Sequence, residues 1–358
     1  MRKTYTIKDI AKLANVSRGT VDRVLHKRGK VSEDALIRVN KVLEEINYEP
    51  NLIARGLKNS KGYYVAVLMP DYAEDPYWYT CYEGIEDAIA EFKSYRIFID
   101  KFYFKTREPG SFMKAFEEIK KQELDGLVLV PAFPKEAEEV YAYCKGKNIA
   151  SCSFNTPPSQ DINIPFVGQD MLRSGRLGAE LLYLLNQQAH RVLMLHINDE
   201  AFEHAIHLKR KEEGFRTYLA DKPGIQIERL SIQESKEALQ KAEIRQYLAS
   251  KPDISGIWVS SSKVYLVAEI LESMKLNCKL VGYDLIDENI NHLQKGSIDL
   301  LINQNPRSQA FYSVASVAEH LAFSKDIPKQ YLLPIDIVSR ENLVFYQNTK
   351  RNRIKLMM

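Results

Sequence analysis

The chain has 358 residues, enough for two or three domains at roughly 100–200 residues each. Hydrophobic residues make up 45% and charged residues 27%, and no apolar run approaches the roughly 18 residues that cross a bilayer, so disorder and a membrane-spanning helix are excluded. The formal net charge of +3 hides a division: residues 1–61 carry 14 Lys and Arg against 7 Asp and Glu, the remainder 36 against 40. Only the basic head is therefore expected to meet a polyanion. The opening stretch MRKTYTIKDIAKLANVS is broken by charges and does not read as a secretory signal. Cys81, Cys144, Cys152 and Cys278 form no CxxC pair and read as free, buried thiols in a reducing compartment, so a cytoplasmic location is expected.

Thr6-Ile7-Lys8-Asp9 has the form of a capping box, with Asp9 in place of the usual Glu. Ile7, Ile10, Ala11 and Ala14 then make one apolar face of a short helix. Asn15-Val16 interrupts it, and Ser17 can cap a second helix from Arg18 to about Leu25. Val21, Val24 and Leu25 would face inward; Arg18, Gly19, Asp22, Arg23 and His26 would face outward. After the basic loop Lys27-Arg28-Gly29-Lys30, Ser32 is placed to cap a third helix with Leu36, Val39, Leu43 and Ile46 at helical spacing. Small Ala11 and Ala14 at a tight joint match a helix-turn-helix, whose second helix enters the DNA major groove. The plain alternative is a three-helix domain that binds protein.

The segments TIKDIAKLANVSRGTVDRVL and VSEDALIRVNKVLEEINYEPNLIARGLK resemble the DNA-binding head and hinge of the LacI (lactose/galactose repressor) family. Tyr48-Glu49-Pro50-Asn51 and Ala54-Arg55-Gly56-Leu57 are the most specific parts. The resemblance implies that Thr6, Ser17, Arg18, Gly19, Thr20, Asp22, Arg23 and His26 lie at the DNA. Arg18 suits a bidentate contact with guanine, whereas Ser17 and Thr20 suit phosphates. Gly19 and Asp22 depart from the family's usual residues and leave the operator sequence open. Pro50 stops the third helix, and Asn51 can cap a hinge helix carrying Ala54, Arg55, Leu57 and Lys58. In the family such a segment folds where two copies meet in the minor groove, with the residue matching Leu57 as the wedge. The alternative for Leu57 is an ordinary linker residue.

From Gly62 apolar strands alternate with amphipathic helices. Strand-like runs are Tyr64–Met69, Arg96–Tyr103, Gly126–Val130, Ile149–Ser153, Pro165–Gly168, Arg191–His196, Gly256–Val259, Lys279–Gly282 and Leu300–Ile302. Helical patterns cover Tyr77–Phe92, Ser111–Gln122, Lys135–Lys145, Leu172–Asn186, Leu208–Leu219, Ala238–Ser250 and Val264–Lys275. This predicts an N-terminal all-α helix-turn-helix head and an α/β body of two doubly wound parallel-sheet subdomains. The body resembles the periplasmic-binding-protein type I fold. That resemblance implies three chain crossings, placed near Gly168, Asn303 and Tyr331. The expected divisions are a head at 1–49, a hinge at 50–61, one subdomain of 62–168 plus 304–331, a second of 169–303 plus 332–346, and a basic tail at 347–358.

The body carries no GxGxxG, GxSxG or GxxxxGK[ST] motif, so no enzyme activity and no cofactor are expected. Ser260-x-x-Lys263 matches SxxK only formally, and His204-x-x-His207 lacks further ligands, so no metal is expected. A polyol site fits better. Asp75, Tyr77 and Trp78 supply a hydrogen-bond acceptor and stacking faces, although both aromatics could instead start a buried helix. Resemblance adds Lys209, five residues before Gly214, in place of the family's arginine; Ser261 in place of asparagine; Asp284 as the strand-end aspartate; and Gln304 at a crossing. Asn155 ends another strand and is a further candidate. The combined expectation is a homodimeric regulator that binds double-stranded DNA at a pseudo-palindromic operator, responds to a sugar or sugar derivative, and does not bind membranes. The rivals are a solute-binding sensor protein and a sugar-processing enzyme.

Overall fold

The computed structural model describes residues 5–25, 29–46, 62–108, 110–158, 163–188, 190–197, 206–233 and 236–347. The expectations for His26, the hinge residues Asn51, Ala54, Arg55, Leu57 and Lys58, His204 and the tail lie outside the described residues. The chain divides into two compact units, residues 1–58 and 59–358.

In the first unit α1 (Ile7–Leu13), α2 (Arg18–Leu25) and α3 (Glu33–Glu45) enclose one small core. The capping box forms: the Asp9 amide donates to Thr6 Oγ1 at 3.3 Å and the Thr6 amide to Asp9 Oδ2 at 2.9 Å. Asn15, at φ 53°, turns the chain between α1 and α2, a left-handed position that asparagine tolerates. Ser17 Oγ then accepts the Thr20 amide at 3.1 Å and starts α2. Ile10, Val21 and Val39 are fully buried at the centre. Two expectations for α3 need correction. Ser32 occupies the cap position but makes no side-chain cap bond. Leu36 is 41% exposed, and the buried stripe runs instead through Ala35, Val39 and Val42.

The second unit is built on two six-stranded sheets. The first has the order β11 (Gln330–Leu332), β5 (Phe166–Gly168), β4 (Ala150–Phe154), β3 (Gly126–Leu129), β1 (Tyr63–Pro70), β2 (Ile97–Phe104). The second has the order β12 (Asp336–Val338), β10 (Leu300–Asn303), β9 (Lys279–Tyr283), β8 (Gly256–Val259), β6 (Arg191–Ile197), β7 (Gln226–Ile232). Every pairing is parallel except β12 against β10. Helices α4 (Pro76–Phe92), α5 (Ser111–Ile119) and α6 (Pro134–Lys147) connect strands of the first sheet. Helices α7 (Met171–Leu185), α8 (Ile206–Leu219), α9 (Glu237–Ser250), α10 (Val264–Met274) and α11 (Asp287–Lys295) serve the second. Helix α12 (Pro306–Phe323) returns to the first sheet and packs on α4.

The chain passes between the sheets after Gly168, after Asn303 and between Leu332 and Asp336. One side chain joins all three passages: buried Gln169 donates to the carbonyl oxygens of Asn303, at 3.2 Å, and Pro334, at 2.6 Å. Asn305 adds bonds to the Pro334 carbonyl and the Asp336 carboxylate. The four cysteines are free, with Cys278 only half-buried. Among the described residues no helix is long and apolar enough to cross a membrane, and no group of three His, Cys, Asp or Glu is placed to hold a metal ion.

Candidate functional site

On the head, Arg18, Gly19, Asp22 and Arg23 lie exposed on one face of α2. Arg23 folds back, its Nε donating to the Gly19 carbonyl at 3.1 Å. Ser17 Oγ and Thr20 Oγ1 stand 2.9 Å apart. Thr6 is engaged with Asp9 as the α1 cap. Arg18 makes no hydrogen bond or ion pair with the described residues, so its five donors are open to an external acceptor.

In the body a cleft opens at the C-terminal ends of both sheets, with a volume of about 860 Å³ counting its open mouth. Seven of the eight sequence candidates line it: Asp75, Tyr77, Trp78, Asn155, Ser261, Asp284 and Gln304. Asp75 caps α4, its Oδ1 accepting the Tyr77 amide at 2.8 Å. Tyr77 is buried, and its hydroxyl accepts from Asn155 Nδ2. Trp78 meets the Tyr77 ring edge-on at 5.0 Å. Asn155 and Asp284, each just past a strand end, have φ of 66° and 69°. Backbone held there in the left-handed region is a feature of binding and catalytic sites.

Lys209 departs from expectation: it is exposed and does not line the cleft. The cation in the cleft wall is Lys211, only 2% exposed. The reason is helical phase. Leu208, Lys211, Phe215 and Leu219 form the buried stripe of α8, and position 209 falls off it. Gly175 on α7 and Gly214 on α8 let the two helices approach closely; a Cβ on Gly175 would collide with the Lys211 carbonyl. That contact sets the seat of Lys211.

Lys211 Nζ donates to the Ser260 carbonyl at 3.2 Å and to Gln304 Oε1 at 3.0 Å, and sits 3.7 Å from the Tyr283 ring centroid. Gln304 Nε2 in turn donates to Asp284 Oδ2 at 2.7 Å. Burial lowers the Lys211 ammonium to about 8 and raises the Asp284 carboxyl to about 7, and each charge opposes the other's shift. Behind this pair His196 Nδ1 lies 2.7 Å from Ser260 Oγ, and His196 Nε2 lies 3.3 Å from Glu212. Burial alone would raise the Glu212 carboxyl, but hydrogen bonds from His196, Arg216 and Arg229 outweigh it and bring it to about 2. His207, on the cleft wall, is pushed down to about 3 by burial and the Lys211 charge, so its ring is neutral.

Sequence reasoning also missed Asn289. Fully buried, it donates to the carbonyls of Ser262, Tyr283 and Asp284 and accepts the Tyr265 amide, fixing both loops on that side of the cleft. Its signal was faint: one of two asparagines in a helix of mostly polar residues. Two cleft atoms, Ser261 Oγ and His207 Nδ1, are buried with no partner among the described residues. Such atoms call for a ligand or water.

A helix-turn-helix head on a two-sheet body with a polar, aromatic-lined cleft defines a ligand-responsive DNA-binding protein. The family model for the periplasmic binding protein domain matches residues 65–325, and that for the lacI family of bacterial regulatory proteins matches residues 6–51. The chain belongs to the LacI family of DNA-binding transcriptional regulators, with a periplasmic binding protein domain as its body. It is 26% identical over 353 residues to the ribose operon repressor of Halalkalibacterium halodurans, covering 96% of this chain and 99% of that protein. It is 30% identical to the NTD biosynthesis operon regulator of Bacillus subtilis, over 48% of this chain and 50% of that one. In fold it is similar to a candidate LacI transcriptional regulator from Bacteroides fragilis, with a TM-score of 0.75, 24% identity and coverage of 80% of this chain and 100% of that one. A solute-binding protein from Burkholderia graminis in complex with D-arabinose gives a TM-score of 0.71 at 18% identity, covering 80% of this chain and 98% of that one.

Proposed function

We propose that this regulator is a cytoplasmic homodimer and not an enzyme, that its two heads grip a pseudo-palindromic operator, and that a sugar in the cleft sets the strength of that grip. The observation that carries the reading is the cleft itself. It pairs the half-buried Trp78 ring, against which Tyr77 is buried, with hydrogen-bonding groups at Asn155, Asp284 and Gln304, the combination of aromatic and polar groups that binds a polyol ring. Relatives named for ribose operons and neighbours in complex with D-arabinose or D-allose support a sugar effector. Exposed Tyr64, Phe98 and Tyr79 on β1, edge strand β2 and α4 offer apolar surface that a second copy would cover.

The mechanism follows from the three passages. A ligand touching both cleft walls favours one closure state, and closure bends the chain at Gln169, Asn303–Asn305 and Pro334. Residues 50–61 would then transmit the change in spacing to the heads. We assign base contact to Arg18, phosphate contact to Ser17 and Thr20, and the minor-groove wedge to Leu57.

The test is a gel shift on the DNA upstream of the chain's own coding region, at several salt concentrations, with the full chain and with a chain lacking residues 1–61. The full chain is expected to shift this DNA and the shortened chain not to. A neutral sugar that raises the body's melting temperature should also change the shift. Binding by the shortened chain, or a shift indifferent to every stabilising sugar, contradicts the reading.

A further inference from the structure

We infer that the cleft selects against negative charge: its effector is a neutral polyol or an amine-bearing sugar, and sugar phosphates and sugar acids are rejected. The inference rests on the sugar reading above and narrows it.

An anionic ligand needs donors that are free to turn toward it. Among the described residues no arginine lines the cleft, and the lining lysines are Lys211 and Lys263. Lys211 is already engaged. Two of its three donors serve Ser260 and Gln304, the Tyr283 ring lies against its ammonium, and Asp284 balances its charge. A phosphate could claim it only by stripping those partners away. Lys263 is half-buried at the edge of the loop before α10.

Helix N-termini are the other common anion receptors. Helices α4, α7, α8 and α10 all begin at the cleft wall, and at three of them the chain supplies an acceptor of its own. At α7 Asp170 Oδ1 takes the Arg173 amide at 3.0 Å. Asp75 Oδ1 takes the Tyr77 amide of α4, and Asn289 Oδ1 takes the Tyr265 amide of α10 at 3.0 Å. A ligand arriving there meets a carboxylate or an amide oxygen where an anion would need N–H groups.

The remaining lining charge is negative. With Lys211 and Asp284 offsetting each other, the described residues leave Asp71, Glu74 and Asp75 on the wall of the first sheet against Lys263. Neutral His207 adds no positive charge. The two buried atoms lacking partners, Ser261 Oγ and His207 Nδ1, belong to uncharged groups. A hydroxyl, which both donates and accepts, can satisfy either of them.

The experiment uses the full chain and matched sugar sets at fixed low salt: glucose, glucosamine, glucose 6-phosphate and glucuronate; ribose and ribose 5-phosphate; galactose, galactosamine and galactose 6-phosphate. Thermal shift finds the set that binds, and calorimetry ranks its members. The neutral sugar is expected to bind, its amine congener to bind at least as tightly, and its anionic congener to bind about tenfold more weakly or worse, because like charges brought together are strongly unfavourable. Removing rim charge with Asp71→Asn and Glu74→Gln together should shrink the ratio between neutral and phosphorylated affinities. A phosphate or carboxylate congener binding as tightly as the neutral one overturns the inference, as does a ratio unmoved by the double variant. Anionic members binding alone would overturn it while leaving the sugar reading intact. Silence from every sugar overturns the sugar reading, and this inference with it.

Discussion

Arg18 and Lys211 are both cations on helices, one in the head and one in the body, and their surroundings are opposite. Arg18 is exposed and makes no bond with the described residues. Lys211 is buried and surrounded by a carbonyl, an amide oxygen, an aromatic ring and a carboxylate. The first is arranged for a polyanion that comes from outside. The second holds the cleft in shape and leaves little charge to offer. Charge at a functional site therefore has to be read with its partners.

Four substitutions and titrations bear on that contrast. The largest effect is expected from Lys211→Met, which leaves Asp284 buried without its counter-charge, at a cost of about 3–5 kcal/mol. The melting temperature of the body should fall clearly, and the double variant with Asp284→Asn should recover part of the loss; a melt unchanged by Lys211→Met would mean that the pair is not coupled. Arg18→Ala should weaken operator binding by about 1–3 kcal/mol while leaving the body's melt and the salt slope nearly unchanged. A slope that drops by one phosphate would move Arg18 from the base edges to the backbone. Thr6→Ala removes the α1 cap and should lower head stability by about 1 kcal/mol, read by circular dichroism of the head alone.

The smallest effect is a pH limb. Burial raises Asp284 to about 7, so its contribution to stability is fully present below the unfolded carboxyl value near 4 and is lost as pH rises through about 7. Between about pH 5 and 7 the melting temperature of the ligand-free chain should carry a falling component that Asp284→Asn removes. Glu212 acts in the other direction. Held at about 2, it stabilises above its ordinary value and loses that effect as pH falls from about 4.5 toward 2, outside the window used for Asp284.

The head was legible because its signals are local: a capping box, a turn asparagine and three short apolar stripes. The alternating strands and helices of the body were equally plain. What escaped depended on partners distant in sequence. Helix α12 carries Ala and Ser on several buried faces, so it shows no single apolar stripe. Strand β7 is an edge strand with interleaved charges, which hid it among loops. Lys209 was chosen by its distance from Gly214, but helical phase selects Lys211, and the stripe Leu208, Lys211, Phe215, Leu219 was visible in the sequence. Asn289 could not be singled out, because its role depends on carbonyls from two other loops.

The central claim is that ligand in the cleft and DNA at the head are coupled. The direct measurement is a linkage square: operator affinity with and without a saturating sugar, and sugar affinity with and without operator, in one buffer. Coupling predicts that the two ratios are equal and differ from one, because the two paths around the square must agree. A sugar that fills the cleft and leaves operator affinity unchanged contradicts the account.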